Sequence, residues 1–197
     1  LADNTVIIHT SDHGEMAGEH GLWRKMCFYE QSARVPLQVS WPGHLPEGQR
    51  ISGITSNVDI TATILDLAGA SPEEWKLDGD SLLPLIDGDA HDWKDEAFVE
   101  HLAHGTDRPR GMIRSGKYKL SYSHGTPPEF EMYDLEADPG EFDNLADDPD
   151  LREARNSLLA RILEKWRDAD AMDTAIRQSQ KSRFLMRGTM LMEDVDF

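Results

Sequence analysis

The feature that most limits the fold is a short apolar run that ends in reactive side chains. Val6-Ile7-Ile8 passes through His9-Thr10-Ser11 into Asp12-His13-Gly14. A β-branched run this short reads as a buried strand of parallel type. Beyond it, Gly14, Gly18 and Gly21 punctuate a loop that carries Glu15, Glu19, His20 and Lys25. In open α/β sheets ligands gather at the carboxyl ends of strands, where loops vary without disturbing the core. A second strand is expected from Leu37 to Trp41, closed by Pro42-Gly43. "SNVDITATILDLAG" reads as a helix with Asn57 as its N-cap, Ile60, Ile64, Leu67 and Ala68 on one face, and Gly69 as the stop. Strand, loop, strand, helix is the texture of an α/β domain.

After "LLPLIDGDAHDW" the pattern changes. Ala97 to Leu102 reads as a strand and Met112 to Tyr122 as a hairpin turning at Ser115-Gly116, with Tyr118, Leu120 and Tyr122 alternating with Lys119 and Ser121. "EMYDL" adds one more strand. "PDLREARNSLLARILEKW" is an amphipathic helix with an Asp150/Glu153 capping box and an apolar stripe of Leu151, Ala154, Leu158, Leu159, Ile162 and Trp166. Antiparallel strands under one helix predict a small α+β subdomain. The expected division is 1–92 for the end of an α/β core, 93–170 for the α+β subdomain and 171–197 for a tail. Phe184, Leu185, Met186, Met190, Leu191 and Met192 are too apolar for a free end, so the tail packs either on another subunit, as a homo-oligomer contact, or on its own chain.

Charge and cysteine content narrow the partners. The chain has 197 residues and 37 acids against 20 bases, a formal net charge of −17, which argues against nucleic acid or an anionic membrane as the main partner. A local anion site is still compatible with it. The one cysteine, Cys27, excludes an intramolecular disulfide framework and a multi-Cys metal site, and fits a reducing, cytoplasmic compartment. No apolar run approaches the length of a membrane span.

Asp12 supplies a hard oxygen ligand and His13 a borderline nitrogen, a pair suited to a divalent cation. Neighbours at a strand end point to opposite faces, so both reach one ion only if the chain turns sharply, which Gly14 permits. An Asx-type turn with a surface His explains the same three residues. Lys25 lies across a loop long enough to fold back on the strand end, where its ammonium would hold an anionic oxygen; an ordinary surface Lys fits the spacing equally.

"SDHGEMAGEHGLWRK" followed by "YEQSARVPLQVSWPG" resembles the sulfatase family of the alkaline-phosphatase superfamily. "SNVDITATILDLAG", "DGDSLLPLIDG" and "YDLEADPGEFDNLADDP" continue the resemblance in order, from Leu1 to about Trp166. "RSGKYKLSYSHGTPPEFEMYDLEADP" is most like choline-sulfatase-type members. The implied fold is the C-terminal portion of an alkaline-phosphatase-like sandwich plus the α+β subdomain. The resemblance makes Asp12 and His13 ligands of a catalytic divalent metal ion, manganese or calcium, and makes Lys25 the sulfate-binding residue. Arg34 and Pro36 become structural supports. A nitrogen ligand moves the expectation from calcium toward manganese. His20 is expected to be a solvated loop residue. His101 and His104, with Arg108 and Arg110, either line a substrate mouth or form a surface turn.

The family's nucleophile, a formylglycine made from Cys or Ser in a Cys/Ser-x-Pro-x-Arg motif, has no counterpart here: Cys27 is followed by Phe28-Tyr29-Glu30, and "SPEEW" does not fit. The chain is therefore expected to be the C-terminal part of a sulfuric ester hydrolase, inactive alone, whose partners are a small-molecule sulfate ester such as choline sulfate and the N-terminal part of the same protein. The alternatives are a phosphonate or phosphate ester hydrolase of the same superfamily and a non-catalytic binding module.

Overall fold

The computed structural model describes residues 2–70, 75–103 and 105–193. Two compact units form, one by the chain up to Ala97 together with Arg114–Gly116, the other by Phe98–Ile113 and the chain from Lys117 onward. Among the described residues no helix is long and apolar enough to cross a membrane.

The first unit is built from short elements. Strands β1 (Ile7–Thr10) and β2 (Leu37–Ser40) pair antiparallel, Ile7 opposite Ser40 and Thr10 opposite Leu37. The expected buried, parallel strand is thus corrected on both counts. The β1 residues alternate between exposed and half-buried, with Ile7 60% exposed. An apolar run carries no information about strand direction, and the long connection to β2 allows either sense. Helix α1 (Glu30–Ala33) is a single turn that ends at an extended Arg34, two residues before Pro36.

Helix α2 (Asn57–Leu67) forms where expected, but its cap and its buried face differ. Ser56 is the N-cap, and its N–H donates to the Asp59 carboxylate (2.7 Å) in a capping box. The buried side chains are Asp59, Ala62 and Thr63, whereas Ile64 is 51% exposed. This polar face is buried because it receives the backbone of the segment before helix α3 (Leu83–Ile86). Asp59 accepts from Asp80 N–H (3.0 Å), Thr63 Oγ1 accepts from Leu82 N–H (3.0 Å), and Asp66 accepts from Ser81 Oγ (2.5 Å). A methyl group on Gly79 would lie 2.3 Å from the Val58 carbonyl oxygen, so only glycine lets the segment approach this closely. Lys94 completes the cluster, 2.5 Å from Asp59 and 3.0 Å from Asp80.

The second unit holds a sheet ordered β3 (Glu96–His101), β4 (Arg110–Ser115), β5 (Tyr118–Ser123), β6 (Glu129–Asp134). β4 and β5 are joined by a tight turn at Gly116-Lys117, one residue later than expected, with Gly116 at φ 53°. β5 and β6 pair antiparallel, Tyr118 opposite Asp134. Helix α4 (Arg152–Trp166) lies on this sheet with the expected stripe. Leu158, Ile162 and Trp166 are buried with Ile113, Leu120, Tyr122 and Met132, while Leu151, Ala154 and Leu159 pack at the margin. Its lead-in is capped by Asp148, whose carboxylate accepts from Asp150 N–H (2.9 Å), in place of the expected Asp150/Glu153 box.

The alternation read in β5 does not leave a polar face outside. Lys119 is 1% exposed and forms an ion pair with the fully buried Glu141 of the segment after β6. The tail is regular rather than loosely patterned: helix α5 runs Ala169–Glu193. Its first turns dock on their own unit. Asp170 accepts from His124 Nε2 (2.8 Å), leaving Nδ1 to accept from the Tyr122 hydroxyl (2.8 Å); Ile176 is buried, and the Gln180 amide donates to the Thr106 carbonyl. Phe184, Leu185 and Met186 are exposed, and the side chains of Met190, Leu191 and Met192 lie outside the described residues.

Gly111 sets the closeness of α4 to the sheet, because a methyl group there would stand 2.8 Å from Trp166 Cζ2 and 3.1 Å from Ile162 Cγ2. Gly111→Ala should lower stability by about 1–3 kcal/mol through overpacking. Urea unfolding checks this, and an unchanged midpoint would contradict it.

Candidate functional site

The segment between Gly14 and Lys25 is a closed hairpin. Met16 N–H donates to the Arg24 carbonyl (3.1 Å) and Gly18 N–H to the Leu22 carbonyl (2.9 Å). The Arg24 N–H donates to the Glu15 carboxylate. Gly18 (φ 104°) and Gly21 (φ 70°) take left-handed conformations at the tip, and the fully buried Met16 anchors the base. This folding-back returns Lys25 to the end of β1.

Asp12, His13 and Lys25 converge there. His13 Nδ1 lies 2.7 Å from the Gly14 carbonyl oxygen. A carbonyl only accepts, so Nδ1 carries the proton and Nε2 presents its lone pair. Nε2 is hydrogen-bonded to the Lys25 ammonium and stands 3.3 Å from Asp12 Oδ2. Asp12 Oδ1 accepts from the His13 N–H (3.0 Å) and the Ser11 hydroxyl donates to the His13 carbonyl (2.7 Å), the sharp turn that brings adjacent side chains to one point. Desolvation raises the Asp12 carboxyl, but the His13 ring in its protonated form, the backbone N–H groups of His13 and Asp12, and Lys25 outweigh it and hold it below the ordinary carboxylate value.

Two acceptor atoms aimed at one point need a cation between or beside them. One carboxylate oxygen and one imidazole nitrogen are a donor set that a divalent ion accepts. Among the described residues no group of three or more His, Cys, Asp or Glu side chains converges. A hard cation takes about six donors, so this pair fits part of a coordination shell.

Three residues that sequence reasoning missed hold this arrangement. Ser32, 3% exposed, accepts from Gly14 N–H at its carbonyl (2.8 Å) and donates its hydroxyl to the Lys25 carbonyl (2.8 Å). Asn57, expected as a cap, is the first helical residue. Its amide donates to the Ser11 carbonyl (2.9 Å) and accepts from the Thr10 hydroxyl (3.3 Å). Glu15 closes the hairpin. A polar residue at the start of a helix is the signal for Asn57; Ser32 has none.

The other candidates are placed differently. His20 is not simply solvated: it is half-buried and stacks on Tyr29 with ring centroids 4.0 Å apart. Arg34 caps α1 and lies 4.0 Å from Glu30, which also pairs with Arg114 (3.4 Å); Pro36 is exposed at the entry to β2. His101 ends β3 in the second unit, where Arg108 pairs with Asp107 and Glu129 and Arg110 donates to Ser123 (3.2 Å). His104 lies outside the described residues. Cys27 is a half-buried free thiol.

Residues 18–168 match the family model described as "N-sulphoglucosamine sulphohydrolase, C-terminal". The chain belongs to this family of sulfatase C-terminal domains. It is 40% identical over 190 residues to a choline-sulfatase of Rhizobium meliloti, covering 94% of this chain and 36% of that protein. It is 34% identical over 197 residues to arylsulfatase K of Rattus norvegicus, covering 94% and 34%. The chain thus spans about a third of the length of the curated relatives it matches. Among solved structures it resembles one in complex with its substrate D-glucosamine-2-N,6-O-disulfate (TM-score 0.75, 30% identity, 86% of this chain and 36% of that one). It also resembles the phosphonate monoester hydrolase of Agrobacterium radiobacter (TM-score 0.67, 32% identity, 82% and 35%). The fold is the C-terminal part of the alkaline-phosphatase-like architecture of the sulfatases, mixed α/β with antiparallel sheets.

Two outcomes are expected from this geometry. A methyl group on Gly14 would fall 2.0 Å from the Gln31 carbonyl oxygen, so backbone must move. Gly14→Ala should destabilise the first unit by about 1–3 kcal/mol and abolish hydrogen-exchange protection of the Gly14 amide; retained protection would contradict this. Partial burial lowers the Lys94 ammonium, but Asp59 and Asp80 outweigh it and hold its folded value above the ordinary one. Its contribution is therefore fully present below the unfolded pKa of about 10.4 and lost as pH rises through the higher folded value. The stability gap between wild type and Lys94→Met should be constant to about pH 10 and close above it, as read by urea unfolding across pH.

Proposed function

We propose that this chain is the C-terminal part of a sulfatase that hydrolyses a small organic sulfate ester, with choline sulfate the first candidate. The observation that carries the reading is the convergence of the Asp12 carboxylate, the His13 lone pair and the Lys25 ammonium at the end of β1. Asp12 and His13 would hold a divalent metal ion, manganese favoured over calcium by the nitrogen ligand. When bound, such an ion neutralises charge on the sulfuryl oxygens. Lys25 binds a sulfate oxygen and steadies the charge that builds during transfer. Glu15, Ser32 and Asn57 keep the three groups in register. The remaining ligands and the nucleophile come from the N-terminal part of the longer protein, so this chain alone turns over no ester. The choline-sulfatase of Rhizobium meliloti supports the substrate. The exposed Phe184, Leu185 and Met186 support a homo-oligomer contact through α5.

A second reading is a phosphonate or phosphate ester hydrolase on the same scaffold, favoured by the likeness to the phosphonate monoester hydrolase. The test is the full-length protein assayed on choline sulfate, an aryl sulfate and a phosphonate monoester. Highest kcat/KM on choline sulfate, falling by about 10²–10³ in Lys25→Ala, is the expected result. Preference for the phosphonate establishes the second reading. Full activity in both Asp12→Ala and Lys25→Ala overturns the site.

A further inference from the structure

We infer that Ser32 is a positioning residue for the anion clamp, acting through Lys25. The inference rests on the reading of Lys25 as the sulfate-binding group. The hairpin that carries Lys25 begins at Gly14 and ends at Lys25, and Ser32 grips both ends. Its carbonyl accepts from the Gly14 N–H at 2.8 Å and its hydroxyl donates to the Lys25 carbonyl at 2.8 Å. Ser32 is itself fixed, 3% exposed, with its N–H donating to the Tyr29 carbonyl at 2.9 Å.

The two grips differ in what they hold. The backbone grip fixes Gly14, whose own carbonyl sets the His13 tautomer, and any residue at position 32 supplies it. The hydroxyl grip fixes only the main chain of Lys25, a residue whose side chain is exposed and long. A flexible ammonium binds an anion well only if its stem starts from a fixed point, because ordering it on binding costs affinity. Removing the hydroxyl frees the Lys25 backbone and leaves an unpaired carbonyl beside the site, while the Asp12–His13 pair keeps its support. Ser32 should therefore tune anion affinity without touching metal affinity.

The test uses the full-length protein with inorganic sulfate as probe, its affinity read by calorimetry and as product inhibition, alongside manganese affinity and thermal midpoint. Ser32→Ala should weaken sulfate about tenfold and raise KM more than it lowers kcat, with manganese affinity unchanged. Ser32→Thr, which keeps the hydroxyl, should restore sulfate binding. Lys25→Ala is the internal control. If Lys25→Ala loses sulfate and Ser32→Ala does not, Ser32 has no positioning role. If Lys25→Ala also binds sulfate normally, the reading of Lys25 has failed instead. A lower thermal midpoint with sulfate affinity intact assigns Ser32 to stability alone and overturns the inference. Should Ser32→Ala not fold, Ser32→Cys, which keeps the volume with a weak donor, takes its place with the same outcomes.

Discussion

A buried backbone N–H or carbonyl must find a partner, and in the first unit regular structure supplies few. Its strands have four residues each and two of its helices have four. Side chains fill the gap. Asp59 and Thr63 bond the backbone of 80–82, Asp95 accepts from Ile54 N–H (2.8 Å), Trp93 donates to the Ile54 carbonyl (2.8 Å), and Ser32 bonds Gly14 and Lys25. The unit is a set of loops fastened by polar side chains, of which Asp59, Thr63 and Ser32 are buried, and the candidate site belongs to that fastening.

Such fastening orders the site without a large core beneath it. Asn57 holds the carbonyl of Ser11 from the first turn of α2, and α2 is in turn seated by Asp59 on the segment ahead of α3. The position of Asp12 is thus set by residues nearly fifty positions away in sequence. Each link is a directional bond to a main-chain group, so a change of one atom at a link displaces every group held through it.

How much was legible depends on which forces leave a pattern in sequence. The stripe of α4 repeats with the helical period because a nonpolar face meets a nonpolar sheet, and Leu158, Ile162 and Trp166 were readable as core. The buried face of α2 was not, since Asp59 and Thr63 are inside to bind backbone, and polar side chains inside look like polar side chains outside. The direction of β1 leaves no mark on Ile7 and Ile8. The loop after Asp12 and His13 was readable through its glycines, but spacing alone left open whether Lys25 returns to them, as the hairpin hydrogen bonds make it do. Ser32 works mainly through a carbonyl and a hydroxyl that dozens of loops also contain, and no spacing rule singles it out. The alternation along β5 did not show that Lys119 is buried, because its counter-charge on Glu141 is supplied by a segment more than twenty residues later.

That pair has a consequence for how the family's members can diverge. Lys119 and Glu141 are both withdrawn from solvent, and removing one member of a buried ion pair costs about 3–5 kcal/mol, whereas replacing both with well-packed apolar residues is often neutral. The two positions are therefore separated by a valley. A lineage crosses it only by exchanging both residues together or by first gaining stability elsewhere, so the identities of these residues should travel as a linked couple even where the surrounding strand drifts freely.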